Sequence, residues 1–251
     1  MTDKENKILL GSQTAKNGFA NEQDIANKFN KWQDDPEAKN WLRIMGYVLH
    51  DILWVKANIL SGHKSDVNVI IQINFKTKQD TQNIQVKLVS NKTGFNQIDK
   101  RWLSSYGQLW QIPQNIYTIL QYFVGEKEPF CATPKDKRRM FFDEMPKNMQ
   151  DTLIKWFDQN KILIVSDIIR GRGEFCAEWV LVAQKILHNS RWVLKNINEV
   201  LNYYGKGDVA ISPKGSLNIG RITMQRKGGD NGRETAQMLQ FKIDPTKLFD
   251  I

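Results

Sequence analysis

The chain has 251 residues, 41% of them hydrophobic, which suffices for one large core and sits at the upper end of single-domain size. Lysine and arginine outnumber aspartate and glutamate 36 to 27, so the surface field favours phosphate-bearing or acidic partners, nucleic acid ahead of membrane surface. No apolar stretch approaches the ~20 residues of a bilayer crossing and "MTDKENKILLGS" lacks the apolar block of a secretion signal, so a membrane partner is excluded and a cytoplasmic protein expected.

Taken in chain order, Ile25, Phe29 and Trp32 recur at helical spacing and predict a first helix, with Asn21 as its cap. Val67, Val69, Ile71, Ile73 and Phe75 alternate with mostly polar neighbours, the period of a half-buried strand, and Ile84, Val86 and Leu88 repeat the signal. The polar "KTKQDTQ" between them predicts an antiparallel hairpin. Residues 102–160 are rich in tryptophan and tyrosine and read as helical, interrupted by "PKDKRRM". Two distant cysteines, Cys131 and Cys176, read as reduced thiols packed in the core. Beyond them "KILIVSDII" and "EWVLVAQKI" read as strands flanking "RGRGEF", Asn196 with Glu199 as a capping box for a short helix ending at Gly205, and "MLQFKI" as a strand. The fold class is therefore α/β or α+β, a central mixed sheet flanked by helices. No repeat or long linker divides it.

If the hairpin's two apolar faces coincide, Asp66, Gln85 and Lys87 project together from the opposite face. Convergence requires Asp66 to lie across from Gln85 or from Lys87, and both pairings keep the apolar residues together. The Asp66 carboxylate, the Gln85 amide oxygen and the Val86 carbonyl would be hard ligands suited to magnesium, and Lys87 could orient or deprotonate a water for attack on phosphorus. The competing reading is the solvated face of an ordinary amphipathic hairpin. Next, "SNKTGFNQIDKRW" sets Lys92, Lys100 and Arg101 around Phe95, phosphate-anchoring cations about an apolar wedge; its competitor is a phenylalanine folded into the core. "KDKRRM" and "RGRGE", with Lys137, Arg138, Arg139, Arg170 and Arg172, read as solvated faces or phosphate anchors. The glycines of "RGRGE" make no dinucleotide fingerprint, and His50, His63 and His188 have no paired ligand spacing.

The segments "SD" and "QVK" separated by eighteen residues, then "LVSNKTGFNQIDK", "KDKRRMF", "DIIRGRGEF", "AEWVLVAQK", "NINEVL" and "QRKGGDNGRETAQMLQFKIDP", resemble a type II restriction endonuclease of the PD-(D/E)XK superfamily. The nearest resemblance is to enzymes that recognise GCGC and cut after the first G, and it runs from "LGSQTAKNGF" to the last residue. It implies a restriction-endonuclease-like fold over a single domain, 1–251: about 1–101 as catalytic core, 102–160 helical, and 161–251 as the strand-rich DNA-recognition part.

By position, the resemblance makes Asp66 the metal-binding carboxylate, Gln85 the occupant of a usually acidic second slot, and Lys87 the catalytic lysine. Ser65 stands where that pattern has proline, and the neutral Gln85 removes one negative charge, which should lower affinity for the ion. Glu22 shares a stripe with Ile25 and Phe29, where related nucleases hold an assisting carboxylate; the competing reading is a first-turn acid favoured by the helix dipole. Phe95 and Gln97 become the wedge and its minor-groove companion. Arg226, Lys227, Asp230, Asn231 and Arg233 form a glycine-punctuated recognition loop with the donors and acceptors a G/C site needs, against the alternative of a solvated hairpin tip. The implied activity is Mg2+-dependent hydrolysis of double-stranded DNA, with Mn2+ able to substitute, leaving 5′-phosphate ends, by a monomer or weak homodimer. A repair-type nicking nuclease and a DNA-binding protein without chemistry stand as alternatives.

Overall fold

The computed structural model describes residues 3–73, 79–187, 189–228 and 233–251. Phe75, His188, Asp230 and Asn231, each given a reading above, lie outside the described residues. Helix α1 (Asp3–Asn30) begins well before its expected start. Nothing between residues 3 and 20 stops it, since that stretch has no proline, so Asn21 is a buried position inside the helix and not its cap. Helix α2 (Pro36–Ile44) starts where Asp35 accepts a hydrogen bond from the Ala38 amide and proline occupies the first turn. Strands β1 (Ile52–Ile59), β2 (Val67–Ile73), β3 (Asp80–Val89) and β4 (Asn96–Arg101) follow, then helices α3 (Leu103–Trp110), α4 (Gln114–Val124), α5 (Lys147–Gln159) and α6 (Lys161–Ile169). After β5 (Trp179–Ile186), β6 (Asn189–Asn196) and α7 (Ile197–Gly205) come the short strands β7 (Val209–Ile211), β8 (Leu217–Ile219), β9 (Ile222–Arg226) and β10 (Leu239–Ile243). Asn196 does cap α7, by accepting from the Asn198 amide.

Two expectations are corrected here. "KILIVSDII" is helix α6 and not a strand. Its buried positions Ile164, Val165, Ile168 and Ile169 fall on a helical stripe while Ile162 and Leu163 face solvent, and that packing overrides the β-propensity of the branched residues. Cys131 and Cys176 are free thiols, but both are half-buried and neither belongs to the core.

Two compact units are interleaved along the sequence. The first takes residues 1–94, 170–200 and 244–251, the second 95–169 and 201–243. Packing thus crosses the consecutive stretches 1–101, 102–160 and 161–251, because pairing of β5 with β3 draws 170–200 into the first unit and pairing of β4 with β10 places 96–101 in the second. The first unit holds a mixed sheet in the order β1-β2-β3-β5-β6, parallel only between β3 and β5. Ile25 and Phe29 of α1 and Trp41 of α2 pack with Val67, Val69, Ile71, Ile84, Val86 and Leu181 in its core. The second unit holds an antiparallel sheet in the order β4-β10-β9-β8-β7. Its centre is aromatic: Tyr106 stacks on Trp110 at 4.7 Å, and Phe241 meets both rings edge-on. Among the described residues no helix is long and apolar enough to cross a membrane.

Candidate active site

Pairing of β2 with β3 sets Val67 opposite Ile84 and Val69 opposite Gln82. Asp66, one residue before Val67, therefore comes opposite Gln85, which decides between the two registers the sequence left open, and its amide extends the ladder to the Ile84 carbonyl at 3.0 Å. On the other side β3 runs parallel to β5, with Gln85 beside Val180 and Lys87 beside Val182. Held from both sides, Asp66, Gln85 and Lys87 share the face opposite Val67, Ile84 and Val86.

That face is not an ordinary solvated one. Gln85 is 2% exposed; its Nε2 donates to the Lys64 carbonyl at 3.3 Å, and its Oε1 is buried with no hydrogen-bond partner. An unpaired buried acceptor costs about 1–3 kcal/mol, so the amide is kept in place at the expense of stability. Asp66 is oriented by the Val86 amide, which donates to its Oδ2 at 2.6 Å. Ser65, in the proline position, is buried, and its amide donates to the Phe175 carbonyl at 3.3 Å.

Glu22 joins this group from α1. Burial, and next the negative charge of Asp66, push its carboxyl up to about 7, while Lys87 pulls the other way. The first-turn reading fails, because Glu22 lies some five turns inside a helix that starts at Asp3. Among the described residues no three His, Cys, Asp or Glu side chains converge as a ligand set. The donors are instead mixed: a carboxylate, a buried amide oxygen without a partner and the adjoining peptide carbonyl, with Glu22 in electrostatic range. All are hard oxygens, which suits a small divalent cation.

The loop leaving β3 is held at several points. Gln184 Nε2 donates to the carbonyls of Asn91 at 2.7 Å and Lys92 at 3.2 Å, Arg191 Nε donates to Gln184 Oε1 at 2.6 Å, and the Gly94 amide donates to Asp244 Oδ1 at 2.9 Å. Lys92 is exposed. Phe95 is 51% exposed, which rules out the core reading, and Lys242 lies 4.8 Å from its ring centroid. Gln97 is exposed on β4, opposite Lys242, beside a bulge where the β4–β10 register shifts; Lys100 is half-buried.

In the second unit β9 and β10 pair antiparallel on either side of the glycine-punctuated segment, whose residues 229–232 lie outside the described residues. The Lys227 amide donates to the Met238 carbonyl at 2.8 Å, and Arg233 is exposed. Arg226 is only 8% exposed, and its Nε is buried without a partner. Burial, then the neighbouring charge of Arg138, lower its pKa. Lys242, Gln184 and Asp244 carry no signal in the sequence because each acts on a residue far away along the chain.

Residues 45–249 match the family model described as R.HinP1I restriction endonuclease. No curated protein matches the chain. Among solved structures, that of the restriction endonuclease MspI in complex with its cognate DNA is similar, at 11% identity and a TM-score of 0.62, over 88% of this chain and 87% of that one. The shared fold is the mixed sheet flanked by helices.

Proposed function

The chain belongs to the R.HinP1I restriction endonuclease family, and from that premise we propose that it hydrolyses phosphodiester bonds of double-stranded DNA at a short G/C palindrome, GCGC, cutting after the first G and leaving 5′-phosphate ends. The observation that supports this most is the buried, unpartnered Oε1 of Gln85 held in register beside Asp66 and Lys87. Asp66, the Gln85 amide oxygen and the Val86 carbonyl would hold Mg2+, or Mn2+ in its place, with Glu22 assisting. When bound, the ion supplies positive charge to the scissile phosphate and its leaving oxygen. Lys87 positions the attacking water and serves the movement of its proton. Gln85 brings no charge, so the site relies on Asp66 and Glu22 for anionic ligands, and a Glu22 that ionises only around neutral pH ties ion affinity to pH.

Phe95 is the wedge that enters the base stack, with Gln97 beside it as the minor-groove contact, while Lys92 and Lys100 anchor phosphates. Arg226, Lys227, Asp230, Asn231 and Arg233 are the proposed base-reading segment, with exposed Arg233 its foremost reader and Arg226, buried at the end of β9, supporting it. The protein works in the cytoplasm as a monomer or weak homodimer. Plasmid digestion with Mg2+ and with chelator, followed by sequencing of fragment ends, tests the reading. Discrete fragments with one shared end sequence are expected. Mismatch-dependent nicks would mean a repair nuclease, and retention of DNA without cleavage would mean a binding protein.

A further inference from the structure

The turn Asp136–Arg139 in the second unit is built around one carboxylate. Asp136 Oδ1 accepts from the Arg138 amide at 3.0 Å and from Arg138 Nε at 3.0 Å, and Oδ2 accepts from Arg138 Nη2 at 3.1 Å. Arg139 Nε stands 3.5 Å from the same Oδ2. The backbone is fixed too: the Arg139 amide donates to the Asp136 carbonyl, and the Met140 amide to the Tyr122 carbonyl. Arg138's carbonyl presses so close to Gly125, at φ +86°, that a Cβ there would sit 2.5 Å from it. The Asp136 side chain is 19% exposed and that of Arg138 66%.

A surface ion pair of this kind gains ~0–1 kcal/mol, so stability does not account for it. What it does is orient. With Nε and one edge of Nη2 bound to Asp136, the guanidinium presents its end edge, Nη1 and the remaining Nη2 hydrogen, to solvent in a fixed direction. That fork fits two acceptors side by side, as in a phosphate or the O6/N7 edge of guanine. The carboxylate at its back favours the second, because it opposes the full charge of a phosphate more than the partial charges of a neutral base edge. Arg139 and Arg226, whose charges bear on each other and on Arg138, leave the neighbourhood two positive charges in excess of Asp136, so phosphate attraction here has other sources.

We propose that Arg138, held by Asp136 as its positioning residue, reads the O6/N7 edge of a guanine in the major groove. The assignment rests on the DNA-cleaving reading above and adds a base reader outside the β9–β10 loop.

The test starts from the duplex defined by sequencing the cut ends. Its binding, without divalent metal, is measured with each guanine in turn replaced by 7-deazaguanine, against a random duplex, for wild type and for Arg138→Ala, Arg138→Lys and Asp136→Asn, with melting temperatures as the folding control. At one guanine the wild type should lose about tenfold or more on deaza substitution. Arg138→Ala and Arg138→Lys should lack that penalty and bind the cognate duplex about as much more weakly, with random DNA little changed. Asp136→Asn, although one charge more positive, should show a smaller ratio of cognate to random binding. Full rescue by lysine, equal losses on cognate and random DNA, or a deaza penalty that persists in Arg138→Ala would overturn the assignment while leaving cleavage intact. Failure of the wild type to give discrete fragments would instead overturn it together with the cleavage reading.

Discussion

The proposed catalytic groups of the first unit sit on its strands, and the proposed base-reading groups of the second sit mainly in turns and loops. In the first unit Asn68, Asn83, Gln85 and Gln184 are buried on the strands themselves: Asn68 Nδ2 donates to Asn83 Oδ1 at 2.9 Å, and Asn83 passes the chain on to the Glu174 carbonyl. In the second unit Asp99, Arg226 and Gln240 are likewise buried on strands, beside an aromatic core whose Tyr106 hydroxyl donates to Asp99, while Arg138, Lys227 and Arg233 sit in turns and loops between elements. Strand positions are set by neighbours on both sides and turn positions by a few local hydrogen bonds. Reacting groups, which must be placed within a fraction of an ångström, use the first kind of support, and groups that meet a deformable partner use the second.

The sharpest way to break this contrast is at the strands. Lys87→Ala or Asp66→Ala should lower single-turnover cleavage by about 10²–10⁴-fold and leave cognate binding nearly unchanged. Lys87→Ala cutting at the wild-type rate would remove the site from β3. Gln85→Glu should be milder, shifting the metal-concentration dependence toward lower ion levels by restoring an acidic ligand.

A second test sets two phenylalanines of the same unit against each other. Phe241→Ala removes a ring buried against Tyr106 and Trp110 and should cost ~3–5 kcal/mol of stability. Phe95→Ala, at an exposed position, should melt within about 0.5 kcal/mol of wild type while cleavage and DNA bending fall together. Calorimetry beside a bend-angle measurement separates them, and a large melting loss in Phe95→Ala would refute the wedge.

Smaller still, Arg233→Ala should cost ~1–3 kcal/mol of discrimination between cognate and random duplexes. Equal losses on both would take the loop out of base readout.

The mildest effect concerns Glu22, and its sign is fixed by the raised carboxyl. Protonated Glu22 favours the folded state; that contribution is fully present below its ordinary value of 4.5 and is lost as pH rises through about 7. In metal-free protein Glu22→Gln should therefore melt like wild type near about pH 4 and a few degrees higher near about pH 8. Identical melting curves across that range would mean that neither burial nor the Asp66 charge raises the Glu22 carboxyl.

Alternation at Val67, Val69, Ile71, Ile84 and Val86 made the hairpin legible, and because the side-chain period is two it also restricted Asp66 to a short choice of partners. Glu22 could be placed on the right stripe by spacing from Ile25 and Phe29, but its elevated carboxyl could not, since burial and the Asp66 charge are tertiary facts. Helix α6 was unreadable for a different reason: a short apolar run rich in branched residues fits a strand or a buried helix equally until its neighbours are known. The parallel partnership of β3 with β5 joins segments some ninety residues apart, and nothing local in either announces it. Asp136 and Arg138 were visible as charges only; that one grips the other edge-on depends on a turn whose shape Gly125 permits.

Gln184 carries a consequence for how the molecule reaches its native state. Its amide is satisfied at both ends only when β5 lies against β3 with Gln184 beside Val89, because only then do the Asn91 and Lys92 carbonyls fall within reach of its Nε2. A slip of one residue would turn the glutamine to the opposite face and strand its donors and acceptor in an apolar layer. One buried amide thus acts as a proofreader of assembly, making the misaligned sheet energetically poor before any substrate is met.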